Sequence, residues 1–423
     1  MKIRIFQSDK GDCLLLTSAS GAHVLVDGGM SDAFTTHVQP FLGKMAAAGK
    51  HLDLVYVSHI DQDHIAGVLK LLDNTMTWRV HDYRQAKGLS TKLPAVPRMP
   101  AVHAIWHNAF SMLLKENAHA AEDLLAQSSQ VMALSTDDAW QGVASSQQEL
   151  AYSMSEAVRV SRRVAADQLA IPLNAEFGGQ LILVRQPAGV DATVGGMDIR
   201  VVGPFAEDVE RLRDEWDDWL RTSKATVASL RAKAKEDAAR IGHSADGLGS
   251  ALEIYLKQLG NRNAVTAPNL ASVMLLVEEA GRRVLLTGDG HADDILAGLE
   301  HHGVLLPNQE LRVDVLKGQH HWAEHNVTPE FCQRVFADKY IFCGNGEHGN
   351  PDLDAMKLLL DTNEAVRPGL PYELWFNCDA TVAPEGKPRE HMKKLMKLVT
   401  DHAATHAHVK CEFLNASSVE LRV

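Results

Sequence analysis

"LDLVYVSHIDQDHIAGVLKLL" runs from Leu52 to Leu72. Its first part, Leu52 to His59, is an apolar β-rich run that reads as a buried strand. Its last part, Ile65 to Leu72, reads as the next helix. Between them stand His59, Asp61, Asp63 and His64, potential metal ligands in the turn where a strand ends and a helix begins. Layered α/β sheets place their sites at such turns. The plain alternative is a polar turn with a helix-capping aspartate. Two acids and two imidazoles crowded after a buried strand are nevertheless costly unless a cation neutralises the acids. Alternate residues of an extended turn share a face, so His59, Asp61 and Asp63 can point together, and His64 can turn back to the same point. One such set can serve two metal ions ~3.5–4 Å apart, which clamp both oxygens of a displacement.

Two metals need further ligands, and two other apolar strands end in candidates. "VLLTGDG" ends in Asp289, placed for a bridging carboxylate, and "VDVLKGQHH" ends in His320 and His321. One imidazole of that pair could ligate while the other contacts substrate. A turn aspartate before glycine, or histidines of a surface loop, would explain each of these alone. Three independent strand ends presenting ligands is the stronger pattern.

Around these motifs the chain alternates. Short strands are expected at Ile3 to Phe6, Cys13 to Ser18 and His23 to Gly29, then a helix over Phe34 to Ala48. Thr75 to Pro100 reads as a mixed loop, and "GGQLILVR" and "GMDIRVVGP" as strands. Leu270 to Gly290 reads as a hairpin turning at Glu279-Ala280-Gly281. Strands at "RVDVLKG", "KYIFCGN" and "YELWFN" then alternate with helices at "PEFCQRVF", "LDAMKLLL" and "REHMKKLMKLV", and "EFLNASSVELRV" closes the chain as β. The expected organisation is one domain over 1–423 with helical insertions at 110–170 and 205–265. The second insertion is charged, with acids leading and bases following, and reads as a solvated or partner-facing helix.

The totals narrow the classes. With 45% hydrophobic and 23% charged residues the chain is of ordinary globular composition. A formal charge of -12 argues against a broad basic surface gripping duplex DNA, but bound divalent metals would add local positive charge. The five cysteines are scattered and never paired as C-x-x-C, which fits a reducing cytosol and argues against a cysteine-built zinc site. The N-terminal residues lack the apolar core of a signal peptide, and no stretch reaches the ~18 apolar residues of a membrane span. The expected location is cytoplasmic. Neither a P-loop nor a nucleophile elbow occurs.

The order of these pieces resembles the metallo-β-lactamase family, whose hallmark H-x-[HD]-x-D-H stands here as "HIDQDH". "LVDGG" with Asp27 and "LLTGD" with Asp289 match further elements. More narrowly, the chain resembles the nuclease-like domain of bacterial competence DNA-uptake proteins and their free-standing relatives. That likeness rests on "GDCLLL", "NLASVMLL", "LKGQHHW" and "GEHGNPD", and spans roughly 1–110 and 265–360. It implies an α/β, four-layer αββα sandwich with the site on one edge between the sheets. It also implies hydrolysis by metal-bound water, with His59, Asp61, Asp63, His64, Asp289 and His320 or His321 as ligands of two divalent ions, Mn²⁺ or Zn²⁺.

The departures from the family pattern carry expectations of their own. Asp61 replaces a histidine, and the harder oxygen donor shifts the balance from zinc toward manganese. The third family histidine is either His107 or absent, with Asn269 in the neighbouring space. Trp322 replaces the glycine after "HH", so substrate access there is expected to differ. His348 matches a family histidine that could donate a proton to a leaving group or bind phosphate. Asp12 and Asp27 are expected to support the ligands by hydrogen bonds. His402 and His406, with His408 after them, read as surface histidines, since no carboxylate lies at matching spacing.

The first functional expectation is therefore a nuclease or phosphodiesterase. A metal-bridging hydroxide would attack phosphorus, Asp63 would orient it, and His348 or the second histidine of the pair would protonate the leaving oxygen. Nucleic acid is the expected substrate, with no membrane partner. The rivals are a hydrolase of lactones, esters or cyclic phosphates, and a latent effector of bacterial defence released by a partner or by proteolysis within residues 230–242.

Overall fold

β4 (Leu54–Val57) buries both of its faces: Leu54 and Tyr56 point one way, Val55 and Val57 the other. Residues of a strand alternate in this manner, so a run apolar at every position requires a core on each side. The computed structural model, which describes residues 1–109, 112, 156–211, 213–214 and 271–423, supplies both. Val55 and Val57 meet a helical layer through Leu42, Val68 and Leu72, whereas Leu54 and Tyr56 meet a second sheet through Val273, Leu275 and Leu286. Burying each such aliphatic side chain stabilises the fold by roughly 1.5–3 kcal/mol before chain entropy is counted.

The first sheet comprises β1 (Lys2–Phe6), β2 (Leu14–Thr17), β3 (His23–Val26), β4, β5 (Ile105–His107) and the last strand of the chain, β14 (Ser418–Arg422). Its order is β14-β1-β2-β3-β4-β5. A helical segment over Ser31–Val38 leads into α1 (Gln39–Ala47), and α1 and α2 (Gln62–Ala86) cover its outer face.

The second sheet comprises β6 (Ala192–Val194), β7 (Met197–Gly203), β8 (Met274–Glu279), β9 (Arg282–Leu286), β10 (Leu311–Lys317), β11 (Val335–Phe342), β12 (Tyr372–Phe376) and β13 (Val409–Phe413). They lie in the order β13-β12-β11-β10-β9-β8-β7-β6. Four helices cover its outer face: α3 (Ala292–His301), α4 (Pro329–Arg334), α5 (Leu353–Val366) and α6 (Lys387–Thr405). The layers thus run helix, sheet, sheet, helix, the αββα sandwich of the metallo-β-lactamase fold. β3 to β5 run parallel, as do β9 to β13. The loops after β4, β9 and β10 therefore leave carboxyl ends of parallel strands, where α/β sheets bind ligands.

Three expected elements differ. The helix after the quoted motif continues to Ala86 instead of giving way to a loop at Thr75. No glycine or proline interrupts it between Thr75 and Gly88, and Trp78 anchors it by donating to the Val96 carbonyl at 3.0 Å. "GGQLILVR" forms no strand: Ile182 N–H donates to the Asn108 side chain at 2.7 Å and Val184 N–H to the Pro204 carbonyl at 3.0 Å. Its backbone is satisfied outside any ladder. "EFLNASSVELRV" is β, but divides between the two sheets, β13 pairing with β12 and β14 with β1.

Of the expected insertions, residues 156–164 are helical, as anticipated. Most of both insertions, including residues 230–242, lies outside the described residues. Among those described, no helix is long and apolar enough to cross a membrane. All five cysteines are free thiols, four of them buried.

Candidate metal centre

Asp61 is the N-cap residue of α2, yet its side chain makes no capping hydrogen bond. One of its oxygens instead lies 3.6 Å from His59 Nε2. The helix-capping alternative for this motif therefore fails on geometry. Asp63 and His64 follow in the first turn of α2, and His64 is fully buried.

Backbone contacts fix that turn. Gly28 N–H donates to the His64 carbonyl at 2.8 Å, and Asp12 N–H to the Asp63 carbonyl at 3.2 Å. These approaches need glycine: a Cβ on Gly11 would lie 1.8 Å from the Asp63 carbonyl oxygen. Asp27 then sets the imidazole. It accepts from Ser58 N–H at 2.7 Å and Ser58 O–H at 2.8 Å, and lies 3.0 Å from His64 Nδ1. With Nδ1–H donated to Asp27, the Nε2 lone pair of His64 faces the centre. A carboxylate orienting an imidazole in this way is the usual outer support of a metal-bound histidine.

The second sheet contributes from the ends of β9 and β10. Gly288, with φ +49°, brings Asp289 against β4, and a Cβ there would lie 2.9 Å from that of Ser58. His320, His321 and Trp322 all have positive φ, at 44°, 51° and 64°. Three consecutive side-chain-bearing residues in the left-handed region are costly. The turn directs both imidazoles inward. His320 Nδ1 lies 2.6 Å from Asn326 Oδ1, and Asn326 is itself fixed by donating to the Asp289 carbonyl at 3.1 Å.

Four of the predicted ligands meet a fifth, Asp289, and the other two, Asp61 and Asp63, join through His59 and His321. Its carboxylate lies 3.6 Å from His59 Nε2, 3.4 Å from His64 Nε2, 3.8 Å from His320 Nε2 and 3.5 Å from His321 Nε2. Asp63 reaches His321 Nε2 at 2.9 Å, and Asp61 closes on His59. Apart from the Asp63 contact, these separations exceed a hydrogen bond. They match the ~3.3 Å between two donors on one tetrahedral ion with bonds of ~2.0–2.1 Å. His59 Nε2, His64 Nε2 and Asp289 Oδ1 are buried and make no hydrogen bond. Converging imidazoles and carboxylates with unsatisfied buried atoms fit divalent metal.

The electrostatics point the same way. Burial alone would raise the Asp289 carboxyl, but His64, His321 and His59 hold it well below the carboxylate range. Burial would lower His321, yet Asp289 and Asp12 push it up to about 10, and Asp289 and Asp63 push buried His64 well above its ordinary value. Buried carboxylates here demand cations, and without a metal they draw protons onto the imidazoles.

One cation is built in. Lys317, only 2% exposed, forms an ion pair with Asp12, lies 3.6 Å from Asp289 and donates to the Gly288 carbonyl at 2.9 Å. Sequence reading missed Lys317, Ser58 and Asn326. Lys317 had a signal, since it shares a strand face with Val315, which lies in the core between the sheets. Ser58 and Asn326 had none.

The remaining candidates are placed as follows. His107 ends β5 beside the strand that leads to His59, fully buried with neither ring nitrogen hydrogen-bonded. Burial, with His59 adding to it, pushes its pKa down to about 3. It does not join the group around Asp289. Asn269 lies outside the described residues. Trp322 is fully buried against Phe342, ring centroids 5.2 Å apart, so it fills the core instead of altering access to the site. His348 is exposed in a turn over Glu347–Gly349 and is not brought into the cluster. That turn is tied to the loop before Asp12, with Asn345 donating to Asp9 and Glu347 3.9 Å from Lys10. His402, His406 and His408 lie near the surface, but the carboxylate missing from their sequence neighbourhood arrives from α5 as Glu364.

Residues 9–105 match the family model of the metallo-beta-lactamase superfamily. Members of that superfamily are usually metal-dependent hydrolases, and this is the class the match supports. Among solved structures, the chain is similar to Zn²⁺-bound PqqB from Methylobacterium extorquens, at 10% identity over 100% of both chains with a TM-score of 0.34. No curated protein matches the chain.

Proposed function

We propose that this metal-dependent hydrolase acts on phosphodiesters, as a nuclease with two divalent ions in its centre. The observation that carries the reading is the clustering of residues from three strand ends: His59, His64, His320 and His321 close on Asp289, with Asp61 beside His59 and Asp63 beside His321. These residues would hold the ions. Four imidazoles with three carboxylates suit Zn²⁺ and Mn²⁺ alike. Bound divalent metal supplies Lewis acidity and a water of lowered pKa.

The protein's own groups do the rest. Asp27 and Asn326 hold the Nε2 atoms of His64 and His320 toward the centre. Asp63 lies 2.9 Å from His321 Nε2 at the open side of the cluster, where Asp63 is 18% exposed. His348 is exposed in its turn and lies outside the cluster, so no proton step is assigned to it.

Support for a phosphate-bearing polymer comes from the helical residues 156–164. Glu156, at their start, hydrogen-bonds Gln62 inside the ligand motif. Further along, Arg159, Arg162, Arg163 and Gln168 line a cavity of about 290 Å³. Arg159 and Arg163 already pair with Asp73 of α2, at 3.0 and 2.6 Å, and guanidinium groups are suited to phosphate contacts. The motif likeness to competence nuclease-like domains agrees, and the free thiols agree with a cytoplasmic setting.

The test is metal analysis together with Mn²⁺- and Zn²⁺-dependent cleavage of single- and double-stranded DNA and RNA, wild type beside Asp63→Ala. Two ions per chain, with cleavage lost in the variant, is the expected result. Two ions with turnover only of lactones, esters or cyclic phosphates would replace the substrate class.

A further inference from the structure

Far along the second sheet from this centre, α5, α6 and the residue before β13 bring four donors together. Glu364 Oε1 lies 3.4 Å from His402 Nε2 and 2.9 Å from His408 Nε2, while Glu364 Oε2 lies 3.8 Å from His406 Nε2. The ligand atoms of Glu364, His402 and His406 all fall within 4.8 Å of one another. His402 and His406 are one helical turn apart, so their rings stand over each other, centroids 4.1 Å apart and inclined by 18°.

One hydrogen bond orients His406 as a ligand. His406 Nδ1 lies 3.0 Å from the His402 carbonyl, an acceptor, so that nitrogen carries the proton and the Nε2 lone pair faces Glu364. Tyr372 Oη lies 3.3 Å from His402 Nε2 on the other flank. His408 is within hydrogen-bond length of Glu364, whereas the Nε2 atoms of His402 and His406 stand 3.4 and 3.8 Å from the same carboxylate, longer than a hydrogen bond, so a cation could lie between them. The group also sits at the C-terminal end of the 19-residue helix α6, where the helix dipole favours positive charge.

We propose that Glu364, His402 and His406 form a second metal site, selective for Zn²⁺ and separate from the centre at Asp289. His408 hydrogen-bonds the Glu364 carboxylate and orients it. Two imidazoles and one carboxylate favour zinc over manganese or magnesium, which prefer all-oxygen sets. The site is structural: it clasps the end of α6 to α5 and to the start of the edge strand β13, so zinc bound there stabilises the fold.

The test is zinc stoichiometry by equilibrium dialysis and metal analysis, with thermal unfolding in the presence and absence of Zn²⁺. The full chain is compared with His402→Ala/His406→Ala, and both are repeated on an Asp63→Ala/Asp289→Ala background. The expected result is one zinc equivalent fewer per chain in the double variant on either background, and loss of the zinc-induced rise in Tm that persists without Asp63 and Asp289. Should the double variant fail to fold by circular dichroism, Glu364→Gln is read the same way, since it preserves the helix. Unchanged stoichiometry and an unchanged Tm response in a folded variant would overturn the proposal. Failure of the centre at Asp289 to bind metal would leave this outcome unaffected.

Discussion

Nδ1 of His64 lies 3.0 Å from Oδ2 of Asp27, a carboxylate that also accepts both Ser58 donors. The pair couples β3's end to the first turn of α2 and commits His64 to the tautomer that can ligate. Asp27 has φ +54°, a conformation that asparagine tolerates. Asp27→Asn therefore keeps the backbone while weakening the partner of Nδ1. Zinc affinity, read by chelator competition, is expected to fall ~10–100-fold with little change in circular dichroism. Unaltered affinity would remove Asp27 from the support of the centre.

Lys317 is a buried cation already paired with Asp12 and near Asp289. Lys317→Met preserves much of its volume but leaves two buried carboxylates short of a counter-charge. Removing one partner of a buried pair costs about 3–5 kcal/mol. Denaturant unfolding of the metal-free variant should show that loss. Added Zn²⁺ or Mn²⁺ should raise its stability more than it raises wild type, because the metal takes over part of the compensation. Equal metal responses would mean that Lys317 and the metals act on different charges.

The parts of this centre that were legible in the sequence are those where ligands follow strands. His59, Asp61, Asp63, His64, Asp289, His320 and His321 each sit within a few residues of an apolar run, and period-two burial fixes where such a run ends. The groups that orient them were not legible. Asn326 acts through a contact to His320 across an irregular turn, and no periodicity marks such a residue. Glu364 was invisible for a related reason, since α5 and α6 are brought together only by packing on the second sheet. "GGQLILVR" has strand composition, but Asn108 takes the hydrogen bond of Ile182 that a neighbouring strand would have taken. Composition reports what a segment can do, and the partner decides what it does.

Glu156 gives a pH dependence with a defined sign. Burial pushes its carboxyl up to about 7, against a smaller opposing effect of the hydrogen bond from Gln62. The folded chain then holds a proton on Glu156 that the unfolded chain has released above the ordinary value of 4.5. Between those two values, rising pH favours unfolding, so this group's stabilising contribution is complete in acid and fades toward neutrality. Glu156→Gln removes the titration. The difference in Tm between wild type and variant should shift in the variant's favour as pH rises from about 5 to 7.5. A difference that stays constant over that range would show that Glu156 ionises normally.

Gly67 lies on α2 where the helix crosses the Gly28 backbone. A Cβ on Gly67 would stand 2.0 Å from the Gly28 carbonyl oxygen, and a Cβ on Gly28 would stand 2.3 Å from Val68 N. Helix propensity alone says that Gly67→Ala should stabilise, by up to ~1 kcal/mol. The contact says the reverse, because backbone on both sides cannot yield as a side-chain end would. Overpacking of this kind costs about 1–3 kcal/mol. The same displacement would lift the first turn of α2, which carries Asp63 and His64, away from Asp289. Gly67→Ala is therefore expected to lower both Tm and zinc affinity. A more stable variant with intact affinity would mean that α2 can slide on the sheet, and that the centre does not depend on this close approach.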